Sequence, residues 1–395
     1  MIQCHAFPTD KALVSILGLA GFISAADNWI VSPVMPAMAA EFGISISLAG
    51  AIFTAYMTPY GVMQPIYGFL GDRWGKVRVL QAIVAGLALG TLGCALASSF
   101  VVLCVWRAIT GFFAAGIIAV SLALIGDRAP LFDRQSKVGR FMGMVFLGQG
   151  LSVGLGGVLA NYVSWRVSFA LFAGIALIAF WLLRRLPETA LHLEKRNFWR
   201  ETARVVLTPK GRVIFPLALA TGFLVLGSYS YLGAFLHEAA GLDFMQVGLI
   251  VMCYGFACLA TGAQVGRWSQ RWGQKSMVVG GGCLASFAIL LLACSPRWQT
   301  GCIATIGLGV GYMLIQSTLA TIAFDVAPET KGLPSALIGL GLFGGGGLGA
   351  AFCGWLLPIG DYAMLWTVVA AALLALAFVA SRLPFGDHCT QIELG

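Results

Sequence analysis

Twelve apolar stretches recur along this chain, each long enough to cross about 30 Å of hydrocarbon at roughly 20 residues per crossing, and no other feature limits the fold as much. They run over 12–36, 47–69, 77–97, 102–125, 139–162, 166–186, 213–236, 245–267, 276–295, 300–324, 333–357 and 361–383. Backbone in hydrocarbon must satisfy its own hydrogen bonds, so each is predicted to be a helix. Composition agrees, with 59% hydrophobic and 10% charged residues in 395. The expected class is an all-α membrane protein. The first stretch follows a short polar start whose one basic residue is Lys11. It is too long for the apolar region of a signal peptide and lacks a small-residue cleavage site, so it is expected to remain as a helix.

The formal charge of +8 raises the question of an acidic partner, and the placement of the charges answers it. With the N-terminus inside, 21 of the 24 Lys and Arg fall in cytoplasmic segments, as the positive-inside rule requires. Arg166 and Arg297 fall outside, and Arg107 lies within a span. The basic balance therefore sets topology, with both termini cytoplasmic, and no nucleic-acid partner is expected. Ten cysteines lie mostly scattered inside spans without paired spacing. They are small buried hydrophobes rather than a metal or disulfide framework.

The longest polar interruption, 187–212, carries six basic residues between Lys195 and Arg212 and separates six spans from six. It is expected to lie on the anionic inner leaflet, with Leu193 to Leu207 able to form a surface amphipathic helix. The expected units are an N-terminal bundle over 1–186, the linker 187–212, a C-terminal bundle over 213–383 and a tail over 384–395. The two halves are related by one shift. "GFLGDRWGK" from Gly68 matches "GRWSQRWGQ" from Gly266, an offset of 198, and the same offset places Asp127 on Asp325 and Pro130 on Pro328. Two parallel six-helix bundles with a site between them suit a rocking carrier.

With those motifs in view, the chain resembles the major facilitator superfamily of transporters over nearly its whole length, most closely the twelve-helix drug/proton antiporter, or efflux, branch. "GFLGDRWGKVR" is similar to the superfamily's signature loop, with Gly68, Asp72, Arg73, Gly75 and Lys76 at matching positions. "VLCVWRAITGFFAAG" in span 4 matches the pattern of Arg followed four residues later by Gly, here Arg107 and Gly111. "SWRVSF" from Ser164 and "PET" from Pro187 stand where such transporters have similar turns. Span 5, "GQGLSVGLGG", departs from the branch pattern, having Ser152-Val153 where Gly-Pro is usual.

The loop residues are expected to form a cytoplasmic gate. Gly68 and Gly75 permit close helix approach and a tight turn, Asp72 can accept from a helix N-terminus, and Arg73 and Lys76 can pair with Asp127. The resemblance implies a latch on the outward-open state. In the second loop Gln270 replaces the Asp, so the latch is expected to be asymmetric. The glycine runs of spans 5 and 11 are expected to serve packing against the opposite half.

Two intramembrane charges carry the expected chemistry. At 1.5 Å per residue Asp27 lies about 23 Å from the inner edge of span 1, with Arg107 at about the same depth on span 4, and Pro33 and Pro36 are expected to end or kink span 1 just beyond. Charges at such depth are costly and usually functional. Burial and a nearby guanidinium act oppositely on a carboxyl's proton, so Asp27 with Arg107 is expected to couple proton movement. A fixed structural ion pair, and direct binding of a cationic solute by Asp27, are the alternatives.

On span 2, Tyr56, Tyr60, Gln64 and Tyr67 recur at helical spacing on one face, with Tyr56 and Tyr60 expected at the cavity. Asn28, Gln149, Tyr229, Tyr231, Tyr254, Tyr312 and Gln316 complete the expected cavity lining. His237 and Glu238 read as surface residues. An aromatic surface with few fixed charges favours a hydrophobic or amphipathic solute over a phosphate or dicarboxylate. The expectation is a monomeric, proton-coupled secondary transporter working by alternating access in a plasma membrane, a bacterial inner membrane above all, and exporting such a small-molecule substrate. The alternative is a proton-coupled importer of a metabolite or organic acid, and behind it a non-transporting sensor or scaffold. The sequence holds no phosphate-cradling loop, nucleophile constellation or zinc spacing, so neither an enzyme nor a cofactor is expected.

Overall fold

The computed structural model describes residues 10–128, 131–188, 198–326 and 332–383. Among these there is no strand, and twelve helices are long and apolar enough to cross a membrane. The spans begin and end close to the stretches read from hydropathy: Ala51–Trp74 for span 2, Lys76–Ala95 for span 3, Trp165–Leu183 for span 6, Phe244–Gly262 for span 8 and Tyr362–Arg382 for span 12. The largest difference is span 9, where Val265–Cys294 joins the loop to the membrane helix across a kink at Gly273.

Span 1 breaks just before its prolines, as expected, but does not end there. Helix runs from Asp10 to Trp29, pauses at Ile30, and continues from Val31 to Phe42 through both Pro33 and Pro36. Pro33 is the third residue of the second piece, where an N–H has no partner within that piece. The Ser32 carbonyl, which Pro36 cannot engage, lies against Gly233 of span 7. The Ser32 hydroxyl donates to the Tyr229 carbonyl at 2.9 Å and accepts the Gly233 N–H at 3.3 Å. The Ser32 hydroxyl is thereby inserted between the Tyr229 carbonyl and the Gly233 N–H of span 7. Fifteen residues of helix follow Asp27, about 22 Å, so the carboxylate sits near the middle of a long helix.

The 198-residue shift is visible in three dimensions. Gly75 and Gly273 both turn the chain at positive φ, +97° and +80°, a conformation that suits glycine because a Cβ crowds the backbone there. Gly111 packs against the Tyr56 carbonyl, and Gly309, 198 positions on, packs against the Tyr254 carbonyl at 2.7 Å from where its Cβ would lie. Tyr56 and Tyr254 are themselves 198 apart. Each half therefore builds its span 2–span 4 contact, or the repeat's span 8–span 10 contact, on the same glycine and tyrosine.

Glycines also bring the halves together. A Cβ at Gly255 of span 8 would lie 2.6 Å from the Gly150 Cα of span 5, and one at Gly248 would lie 2.8 Å from the Gly157 Cα. Span 11 meets span 2 the same way, with the Gly344 nitrogen 2.5 Å from the Cβ position of Gly61. Such approaches let backbones touch where no hydrophobic force separates helix from lipid. Toward the face opposite the signature loop the seam is closed by hydrogen bonds: Thr54 donates to the Gly347 carbonyl at 2.9 Å and Tyr231 to the Ser47 carbonyl at 3.1 Å.

Candidate functional site

Asp27 and Arg107 meet. Span 1 and span 4 bring them into a fully buried ion pair, Arg107 Nη1 to Asp27 Oδ2 at 2.9 Å. The same Nη1 donates to the Asp27 carbonyl at 3.0 Å, and Thr91 of span 3 donates to Oδ1 at 2.9 Å. Both carboxylate oxygens are thereby held. The guanidinium lies over the Tyr56 ring at 4.1 Å, a cation–π contact worth roughly 2 kcal/mol when desolvated. Its Nε and Nη2 have no hydrogen-bond partner among the described residues.

From that pair the aromatic chain runs to the seam. Tyr56 stacks on Tyr60 with centroids 5.5 Å apart, and Tyr60 meets Phe343 of span 11 edge-on at 4.7 Å. Gln64 follows one turn on, its amide against Gly339 of span 11. Tyr67 leaves this face: it packs on Phe112 at 6.0 Å and against Gly116, within its own half.

A second aromatic group lies across the seam. Tyr229 of span 7 and Tyr254 of span 8 approach to 4.7 Å, Tyr312 of span 10 stands 6.1 Å from Tyr254, and Trp29 of span 1 reaches both Tyr229 at 4.7 Å and Tyr254 at 5.2 Å. The hydroxyls of Tyr229, Tyr254 and Tyr312 are buried without a partner, and so are Asn28 Oδ1, Gln149 Nε2 and Gln316 Oε1. Each such atom costs about 1–3 kcal/mol while it stays unpaired. Six such polar atoms are thus without a hydrogen-bond partner among the described residues. Tyr231, two residues from Tyr229, is turned away from this group toward Ser47.

A sequence model of the Major Facilitator Superfamily matches residues 17–329 and again 217–388, which together take in most of the chain. This protein belongs to that superfamily. It is 26% identical over 390 residues to the MFS-type transporter YwfA of Bacillus subtilis, covering 95% of this chain and 92% of the relative. The multidrug resistance protein fnx1 of Schizosaccharomyces pombe is 31% identical over 157 residues, 40% of this chain and 29% of that one. Among solved structures the nucleoside transporter NupG superposes with a TM-score of 0.78 at 13% identity, covering 93% of this chain and 98% of NupG. That likeness establishes the fold. The protein is a multi-pass membrane transporter and not an enzyme.

The superfamily's signature loop is held on its own side of the molecule. Lys76, buried at the start of span 3, pairs with Asp127 at the end of span 4 at 2.7 Å. Arg73, the other expected partner, is exposed. The side chain of Asp72 lies outside the described residues. At Gly68 a Cβ would meet nothing within 4 Å, so the close approach expected there is found instead at Gly111. Gly75 does make the turn, and the space beside it is filled by the Glu188 carboxylate, 2.6 Å from the position of a Cβ.

Glu188 was not among the expected site residues. Its two oxygens accept the Val77 and Arg78 N–H groups at 3.1 and 2.9 Å, so the acid of the "PET" turn caps the N-terminus of span 3, where the macrodipole favours it. Arg128 donates to the neighbouring Pro187 carbonyl. Trp29 and Thr91 were also missed. The signal for Trp29 is its place two residues beyond Asp27, about 200° around the helix, which points it to the other side of span 1. Thr91 carries no signal in the sequence, since it is one hydroxyl in an otherwise apolar span.

Proposed function

We propose that this transporter moves a small amphipathic or hydrophobic solute by alternating access, driven by protons, and that it exports. The observation that carries the reading is the buried Asp27–Arg107 pair, joined through Tyr56 and Tyr60 to the seam between the halves. An acid this deep that is held by one guanidinium and one hydroxyl can lose its charge to a proton only by releasing Arg107. That release changes what Tyr56 and the seam pack against, which links protonation to rearrangement. The face bearing Lys76, Arg128 and Arg212 is assigned to the cytoplasm of a plasma membrane, a bacterial inner membrane above all, by its basic charge. Seam contacts at Ser32, Thr54 and Tyr231 then close the outer side. The name of the fnx1 relative supports export of drug-like compounds. The protein is expected to work as a monomer, since the site lies within one chain.

Asp27→Asn tests this directly. In everted vesicles the variant is expected to keep its melting temperature within a few degrees and lose solute flux driven by a pH gradient. Full pH-driven flux in Asp27→Asn sinks the carrier role.

One observation favours a second reading. Arg107 keeps Nε and Nη2 without partners, and an organic acid could take them in a proton-coupled importer. Adding a protonophore to intact cells separates the two, because accumulation of the solute rises if the protein exports and falls if it imports.

A further inference from the structure

Three consecutive residues of span 1 face three different environments. Asp27 bonds Thr91 and Arg107 inside the N-terminal half, Asn28 holds a buried oxygen with no partner, and Trp29 stands among the tyrosines of the C-terminal half. One turn of helix thus joins the ion pair to the ring group. The charges of the two regions are as different as their positions. The guanidinium and carboxylate are engaged with each other, and among the described residues the ring group holds no carboxylate, lysine, arginine or histidine, its ionisable groups being the phenols and the buried Cys258 thiol beside them, which donates to the Gly309 carbonyl. Its polar atoms are hydroxyls and amides, which offer donors and acceptors but no counter-charge.

We propose that Trp29, Tyr229, Tyr254 and Tyr312, with Gln316 one turn beyond Tyr312 and Gln149, whose backbone lies against Gly255 next to Tyr254, form the recognition site for an uncharged, flat heteroaromatic solute that has hydrogen-bonding atoms along its edges. This deepens the transporter reading and rests on it for the physiological role, though the site itself is a binding claim. The rings pack on one another with centroids 4.7, 5.2 and 6.1 Å apart, the range that aromatic pairs prefer, so a flat solute enters by taking the place of one ring against its neighbour when the halves part. The hydroxyls and amides then bond the solute's edge, and a site built for such bonds discriminates strongly against a solute that lacks them. A permanent cation placed here finds no carboxylate except Asp27, which is already held by Arg107. A permanent anion finds only the guanidinium on the far side of span 1. The flat neutral class is the one the site accommodates without breaking the ion pair. Trp29 is a specificity-determining residue in this scheme, contributed by the half that carries the proton chemistry to the half that binds.

The test is equilibrium binding to the purified full-length protein in detergent, using lumiflavin as the neutral flat probe, ethidium as the cationic one and fluorescein as the anionic one. Lumiflavin is expected to bind with at least tenfold higher affinity than the other two. Its affinity is expected to fall tenfold or more in Trp29→Ala and in Tyr254→Ala, and to fall less in Tyr254→Phe than in Tyr254→Ala. Melting temperatures of the variants are measured alongside, and Tyr312→Phe, which removes one hydroxyl and leaves the ring, serves where an alanine variant unfolds. Preference for ethidium that disappears in Asp27→Asn overturns the proposal in favour of a cation site at the carboxylate. Absence of lumiflavin binding to the folded wild type also overturns it. Lumiflavin binding without any pH-driven flux leaves this site standing and removes the proton-coupled reading, so the two fail separately.

Discussion

The two halves of this transporter share a turn, a glycine seat and a tyrosine at a shift of 198, yet their centres differ. That shift carries Asp27 to Val225, Thr91 to Ile289 and Arg107 to Thr305, and all three of these C-terminal residues are fully buried. Thr305 closes its hydroxyl on the Gly301 carbonyl at 2.7 Å, within its own helix. The same bundle is thus packed in one half with an ion pair and in the other with a valine, an isoleucine and a self-satisfied threonine. The fold does not require the charges. Conversely, the C-terminal half places unpaired phenols at its seam, whereas in the N-terminal half the Tyr56 hydroxyl reaches the Ser24 carbonyl at 3.5 Å and the ring carries a guanidinium.

The sharpest way to break this comparison is to make one centre resemble the other. Arg107→Ala leaves Asp27 buried without its partner and is expected to destabilise the protein by about 3–5 kcal/mol, seen as a loss of folded material or a large fall in melting temperature in detergent. The double variant Asp27→Val with Arg107→Thr copies the C-terminal residues and is expected to recover most of that stability while remaining inactive in pH-driven flux. A double variant no more stable than Arg107→Ala would show that the N-terminal half does depend on the pair for folding.

Next in size are the shared glycine seats. Gly111→Ala sets a methyl against the Tyr56 carbonyl and Gly309→Ala sets one against the Tyr254 carbonyl, and backbone cannot yield as a side chain does. Each is expected to cost about 1–3 kcal/mol, Gly111→Ala the more because its contact is the tighter. Equal melting temperatures for Gly309→Ala and wild type would remove the repeat's packing equivalence.

The turn glycines separate two terms. Gly273→Ala meets no neighbour within 4 Å and is expected to cost about 1–3 kcal/mol from its backbone conformation alone, φ 80° and ψ 155°, while Gly75→Ala adds a collision with the Glu188 carboxylate. The smallest effect is expected from Glu188→Gln, which keeps the shape of the cap at span 3 and weakens its charge, at about 0.5–1 kcal/mol. A Gly75→Ala penalty no greater than that of Gly273→Ala would place Glu188 outside the turn's energetics.

Much of this was legible in the sequence. Hydropathy located the twelve spans, and the two loop matches at one offset implied two related bundles. Depth put Asp27 and Arg107 at one level, and the resemblance put spans 1 and 4 at one cavity, which left open whether the two charges pair or share water and solute; the structure pairs them. The span 2 face was half read: Tyr56, Tyr60 and Gln64 turn to the seam, and Tyr67 turns into its own half. The prolines of span 1 were expected to end or kink it, and the helix breaks at Ile30, three residues before Pro33, but then continues through both prolines to Phe42. The "PET" turn was noticed, but the capping role of its Glu188 was not, because the hydrogen bonds it accepts come from backbone N–H groups, which every sequence has.

Sequence alone determined what a bilayer enforces. Hydrocarbon thickness sets the length of each span, the cost of unpaired backbone makes each a helix, and the basic residues follow the loops. Helical periodicity also decided which side chains share a face. Which neighbour that face meets was decided only by the tertiary structure, because it depends on contacts between residues as distant as Thr91 and Asp27, or Trp29 and Tyr254. The structure alone placed Trp29 in the opposite half, gave both carboxylate oxygens of Asp27 their partners, and left the three phenols of the C-terminal half unpaired at the seam. Those arrangements arise from glycine-mediated backbone approach between helices, which composition permits at many places and packing selects at a few.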